Sequence, residues 1–201
     1  LYVYIVRLIM SKKGLNKSEK LLSTAKDLFW KFGFKRVPVE EICQKAGVSK
    51  MTFYRLFENK TELAKKILNL VFEEGTAKFR EILNNECSAS EKMHSIVLLK
   101  MEGAKDISRE FIEEVYNDQG SELQLFMTQR SAEIWEGLLT EFKDAQQRGV
   151  FRKDFKPEFL LHMGQKMTEL INDPQISKMY GSPQEMIIEI TNLMTYGIAP
   201  R

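Results

Sequence analysis

The sequence predicts an all-α fold, a three-helix N-terminal unit followed by a larger helical bundle, and three observations lead there. Apolar residues recur at helical spacing almost throughout, while period-2 alternation is scarce after residue 10. Cap signatures stand at Asn16/Glu19, Asn59/Glu62 and Ser88/Glu91, each placing an acceptor for free first-turn N–H groups ahead of an apolar stripe. Gly33, Gly47 and Gly149 close such stripes, and Pro38, Pro157 and Pro183 open them.

About nine helices follow in order. The first starts after Asn16, carries Leu21, Ala25, Leu28 and Phe32 on one stripe with Leu22 and Phe29 beside it, and closes at a left-handed Gly33. Pro38 fits the first turn of the second, whose Val39, Ile42, Cys43 and Ala46 face inward. Gly47 breaks that helix, and Ser49 caps a third with Phe53 and Phe57 on its apolar face. Asn59 opens a long fourth helix through Leu63, Ile67, Leu70 and Val71. Ser88 caps a fifth through Met93, Val97 and Met101, and Phe111, Ile112, Val115 and Tyr116 mark a sixth. A seventh spans about residues 121–148 with Leu123, Phe126, Met127, Ile134, Leu138 and Phe142. Pro157 opens an eighth with Phe159, Leu160, Met163, Met167 and Leu170, closed near residues 172–174. Ser182 and Pro183 start a ninth with Met186, Ile190, Leu193 and Met194.

The composition is that of an ordinary globular chain: 201 residues, 43% apolar, 30 Lys+Arg against 28 Asp+Glu. No apolar run reaches the roughly 18 residues that cross a bilayer, which argues against a membrane partner. Cys43 and Cys87 have no CxxC spacing, and His94 and His162 have no companion at metal spacing, so neither a disulfide framework nor a metal site is expected. The formal charge of +2 divides unevenly. Residues 11–80 hold 16 basic and 8 acidic side chains, a balance of +8; residues 81–201 hold 13 and 20, a balance of −7. A basic head suits a polyanion and an acidic body avoids one. Residues 1–9, apolar and ahead of Met10, are expected to be an upstream extension.

The stretch that carries function is residues 39–57, VEEICQKAGVSKMTFYRLF. A short helix, a tight turn at Gly47 and a second short helix from Ser49 is the layout of a helix-turn-helix. Ile42, Ala46, Val48 and Phe53 pack the two together, and the second helix then presents Lys50, Met51, Thr52, Tyr54, Arg55 and Leu56 to a major groove. Lys50 can donate to guanine O6/N7, Met51 can pack on a thymine methyl, and Ser49 can cap the helix and touch phosphate.

At AGVS, TFYRLF and then Asn59-Lys60-Thr61-Glu62-Leu63, behind a helix ending Lys31-Phe32-Gly33-Phe34, the chain resembles the TetR family of transcriptional repressors over roughly residues 16–70. The resemblance implies a homodimer on a palindromic double-stranded DNA operator, with a helical C-terminal domain that dimerises and binds an inducer. It implies that Tyr54 contacts phosphate and a neighbouring base, that the Thr52 hydroxyl donates to phosphate, and that Lys60 binds phosphate. Val37-Pro38 stands where a hydroxyl pair is common in the family and Leu56 where His is frequent, each removing a polar contact. The implied division is residues 1–10 as extension, 11–58 as DNA-binding domain, 59–80 as connecting helix and 81–201 as ligand-binding and dimerisation domain.

In the body, Met101, Phe111, Tyr116, Phe126, Met127, Trp135 and Met163 are the candidates to line an adaptable apolar pocket. Phe159, Gly164, Met167, Met186, Ile190, Leu193 and Met194 are the candidates for a dimer interface between the last two helices of each subunit. Neighbouring carboxylates such as Glu40-Glu41 and Glu113-Glu114 diverge by about 100° on a helix and read as solvated faces, and no GxSxG, HExxH, P-loop or GxGxxG pattern is present. The expectation is therefore a cytoplasmic, ligand-responsive repressor rather than an enzyme, with a small apolar inducer and no cofactor. The alternative is a helical DNA-binding adaptor controlled by a protein partner.

Overall fold

A computed structural model describes residues 16–116, 118–160, 162–163, 166 and 173–200. Every regular element among these is helical: α1 Lys17–Phe32, α2 Val39–Ala46, α3 Lys50–Leu56, α4 Lys60–Asn84, α5 Ala89–Gly103, α6 Arg109–Tyr116, α7 Glu122–Gln147, α8 Pro174–Ser177 and α9 Pro183–Gly197. Residues 157–160 are helical as well; most of the helix expected from Pro157, and all of the expected extension, fall outside the described residues.

The caps explain where the helices start. Asn16 and Glu19 form a reciprocal capping box at α1, and Ser88 and Glu91 form another at α5. At α4 only half of the expected box closes: Asn59 Oδ1 accepts from the Glu62 N–H at 2.9 Å, while the Glu62 carboxylate pairs with Lys65. Pro38 lies one position before α2 rather than inside its first turn, and no side chain caps that end. Pro174, expected at the close of a helix, opens the short α8, with Asp173 accepting from its first-turn N–H groups. Gly33 has φ +85° and ψ 161°, outside the left-handed helical region expected of it and in a conformation essentially confined to glycine.

Two buried clusters hold the molecule together. The first contains Leu21, Ala25, Phe29, Ile42, Phe53, Leu63 and Ile67 of α1–α4, and it continues into Phe111 and Val115 of α6 and Leu123 and Met127 of α7. Trp30 and Phe111 pack ring to ring at 4.5 Å, and the Ser108 N–H donates to the Trp30 carbonyl at 2.7 Å. The core of the basic head is therefore continuous with the acidic body. The second cluster gathers Leu83, Met93, Ile96, Leu138, Phe142 and Phe151, with the Phe142 ring 5.6 Å from Phe79 and 5.3 Å from Phe151.

A lysine and an arginine serve as internal caps. Lys92, 5% exposed, donates to the Ile82, Leu83 and Asn85 carbonyls at the end of α4, and Arg148 donates to Leu83 O at 3.1 Å. Cations there meet the negative end of the helix dipole and the carbonyls that the last turn leaves unpaired. Cys43 is buried in the α2 core and Cys87 is exposed beyond α4.

Candidate nucleic-acid interface

The helix-turn-helix begins with a reversal at Gly47, whose φ of 64° and ψ of 38° let the chain turn at the end of α2. Its N–H and that of Val48 return to carbonyls of the last turn of α2, closing the turn. Ser49 then caps α3: its Oγ accepts from the Thr52 N–H at 3.2 Å and donates to Thr52 Oγ1 at 3.0 Å. Phe53 is fully buried and fixes the rotation of α3, edge-on to Tyr54 at 5.2 Å and beside Phe57 at 5.9 Å.

With Phe53 inward, the outer face of α3 is determined. Lys50, Met51, Tyr54 and Arg55 fall within an arc of about 140°, and all four are exposed, Met51 at 83% and Tyr54 at 56%. Leu56 at the helix end is also open, and Ser49 borders the same face. Five of the seven residues expected at DNA thus lie together on one surface.

The other two do not. Thr52 is only 8% exposed, and its hydroxyl is engaged by Ser49, so here it is part of the cap rather than a presented donor. Lys60 is turned into the protein. Its Nζ donates to the carbonyls of Phe34 at 2.7 Å, Lys35 at 3.3 Å and Val37 at 2.9 Å, and lies 4.4 Å from the centre of the Phe34 ring. Burial pulls its pKa below the ordinary lysine value, against the opposing effect of the Glu114 carboxylate. All three of its protons are directed at the loop between α1 and α2, which corrects the expectation of an outward phosphate ligand.

The structure adds two residues that the sequence pattern left aside. Glu40 of α2 forms an ion pair with Lys50, which raises the lysine pKa and lowers that of the glutamate. Glu114 of α6 accepts from the backbone N–H groups of Phe34 and, at 3.1 Å, Lys35. Of the adjacent carboxylates expected on solvated faces, Glu40 and Glu41 form surface pairs with Lys50 and Lys45 and Glu113 is exposed, whereas Glu114 is committed to a loop 80 positions away. No local spacing signals such a contact.

The body's assignments also change. Phe111 and Met127 are buried in the first cluster, with Tyr116 and Phe126 packed against it, and Trp135 packs against the second. Met101 is 37% exposed and Met163 half-buried. The expected pocket lining is mostly filled core. Among the recesses between described residues are one of about 600 Å3 bordered by Cys87, Ser90, Glu91, His94, Ser95 and Tyr196, and one of about 140 Å3 at the head–body junction. Neither is lined by the seven apolar candidates. Of the interface candidates, Met186 is 2% exposed within its own chain and offers no free surface, while Met194 is half-buried and packs on the second cluster. Leu193 at 68% and Phe159 at 61% do offer free surface, Ile190 is half-buried, and Gly164 and Met167 lie outside the described residues.

A capped, outward-facing recognition helix braced by α2 and set on a helical body defines the class: a helix-turn-helix DNA-binding regulator. Known proteins agree. The profile of the bacterial regulatory proteins of the tetR family matches residues 21–67, which run from α1 into α4. An uncharacterized HTH-type transcriptional regulator of Bacillus subtilis (strain 168), YdgC, is 25% identical over 198 residues, spanning 96% of this chain and 97% of its own. Among solved structures, the fatty acid degradation regulator FadR from Bacillus halodurans superposes with a TM-score of 0.66 at 16% identity, covering 94% of this chain and 100% of its own. A regulator from Saccharomonospora viridis in complex with choline gives 0.64 at 16% identity, covering 92% and 98%. The chain is thus similar to DNA-binding transcriptional regulators, and its residues 21–67 carry the pattern of the tetR family. None of its described helices is long and apolar enough to cross a membrane.

Proposed function

We propose that the chain is a repressor that binds a palindromic operator as a homodimer in the cytoplasm and leaves it when a small molecule occupies the helical body. The observation that carries the DNA contact is the common exposed face of Lys50, Met51, Tyr54 and Arg55 beside a buried Phe53. Tyr54 and Arg55 serve the phosphate backbone, which sets affinity; Lys50 and Met51 meet base edges, which set sequence. For the dimer, exposed Leu193 and Phe159 supply apolar surface, with half-buried Ile190 next to it. Ligand response is supported by the choline-bound relative. A ligand that favours one head spacing over another shifts the population between bound and free operator.

Selection of bound DNA from a random pool tests the reading and is expected to return an inverted repeat. Tyr54→Ala should then weaken binding to all sequences alike, while Lys50→Ala should relax preference at one base position by about 1–3 kcal/mol. Failure to enrich any sequence would end the operator reading. Leu193→Asp is expected to shift the chain towards monomer in sedimentation velocity; an unchanged dimer would move the interface elsewhere.

A second reading, control by a protein partner, draws on the filled core and on Leu98 and Met101 of α5, 47% and 37% exposed. Operator release by a candidate small molecule with purified components supports the first reading; release that requires an added protein supports the second.

A further inference from the structure

The six-residue loop between α1 and α2 is held from two sides. Its N–H groups at Phe34 and Lys35 donate to the carboxylate of Glu114, on α6 of the body. Its carbonyls at Phe34, Lys35 and Val37 accept from the ammonium of Lys60, at the start of α4. The flanking side chains tighten the same joint: Lys35 Nζ lies 2.9 Å from Asp118, and Lys65 Nζ lies 3.8 Å from Glu122. Hydrogen bonds to charged groups are the stronger kind, so these peptide groups are more firmly fixed than those of an ordinary surface loop.

Gly33 is part of this joint. A Cβ built there would stand 3.0 Å from Glu114 Oε2 and 3.3 Å from Glu110 Cβ, and the backbone φ of +85° already disfavours any side chain. The bare backbone at Gly33 is what admits the carboxylate to the loop. Directly after the loop, α2 begins at Val39, and α2 braces α3 through Ile42 and Phe53. The path from Glu114 to the recognition helix therefore crosses one loop and one short helix.

We infer that Glu114 is a positioning residue for operator binding: by gripping the α1–α2 loop it sets the angle at which the body carries the recognition helix. The inference rests on the operator reading proposed above. Glu114 touches no DNA in this arrangement; it acts through the loop that Lys60 holds from the other side. In a dimer the angle of each head sets the separation of the two recognition helices, and that separation is read by the distance between half-sites.

This gives a readout that a merely stabilising role would not move. On a selected two-half-site operator, Glu114→Ala is expected to lose about tenfold in affinity, the effect of one charged hydrogen-bonding group. On an isolated half-site the loss should be less than about twofold, since one head needs no spacing. Operators lengthened or shortened by one base pair between half-sites should become the variant's preferred targets. Glu114→Gln, which keeps an acceptor oxygen for one N–H, is expected to recover part of the full-site affinity and part of the original spacing preference. It also guards against reading a misfolded alanine variant as a positive result. Equal losses on half-site and full site, or an unchanged spacing preference in both variants, would overturn the inference while leaving the operator reading intact. A wild-type chain with no preference for paired half-sites would instead remove the operator reading, and this inference with it; that failure shows in the unmodified protein.

Discussion

Lys60 and Glu40 show how a charge acquires its role from its neighbours. An ammonium whose donors all reach carbonyls cannot be removed without leaving those carbonyls short of partners, so Lys60→Met should destabilise the fold by about 2 kcal/mol in urea titration. The pH dependence follows from the direction of its shift. Native Lys60 gives up its proton at a lower pH than the unfolded chain, whose lysine titrates near 10.4. Between those two values the unfolded state binds more protons, so this group makes stability rise with pH, and the Lys60→Met variant should lack that rise. Glu40, by contrast, holds an exposed lysine on the outer face of α3, a solvent-screened pair that adds little to stability. Its removal should matter for binding more than for folding. Glu40→Gln is expected to raise operator affinity at low salt and to steepen the dependence of log K on log salt by about one counterion. A slope equal to that of the wild type would show that Lys50 releases Glu40 at no cost. The outward run on α3 was legible in the sequence because Phe53 fixes its phase at helical period. The roles of Lys60 and Glu114 were not, because their partners are backbone atoms 23 to 80 positions distant.

At the scale of the element, helix starts were the most legible feature, since a cap is written within four residues. Asn16, Ser49, Asn59, Ser88, Ser121 and Ser182 all accept from first-turn N–H groups. Helix ends were less so. Gly33 and Gly47 look alike in sequence, yet Gly47 is left-handed with open space around it, and Gly33 is not left-handed and lies against Glu114 and Glu110. Their alanine variants should separate accordingly. Gly47→Ala is expected to cost about 1 kcal/mol, the ordinary penalty for a left-handed alanine. Gly33→Ala should cost about 2 kcal/mol or more, because the backbone region is almost closed to alanine and Glu114 must also withdraw. Chemical denaturation of the two variants compares them directly; equal costs would mean that the joint tolerates a side chain.

The whole molecule departs most from what composition implied. Charge divides near residue 80, with a basic head before it and an acidic body after it. Packing does not follow that division, because Phe111, Val115, Leu123 and Met127 complete the core that α1–α4 begin. Surface charge is set by partners in solution, whereas a core is set by which apolar faces meet, and only the first can be read by counting. A fragment ending at Asn84 keeps the entire helix-turn-helix but loses those four residues. It is expected to show much less helix by circular dichroism than its share of the intact chain, and a cooperative melt of the fragment at the full-length midpoint would refute this. The all-helical class and the position of the reading helix were accessible from the sequence. Assignment of pocket and interface residues was not, since an apolar residue on a helix looks the same whether it fills a core or borders a cavity.

The placement of the two cysteines, one inside the α2 core and one in the open, makes the chain its own timekeeper. A thiol reagent in excess should modify Cys87 at once, and Cys43 only as often as the head opens, with burial further suppressing its thiolate. The slow phase then counts excursions of the helix-turn-helix from its closed form. Adding operator should lengthen that interval without touching the fast phase, so occupancy of DNA becomes visible as elapsed time in an unlabelled, unmutated protein.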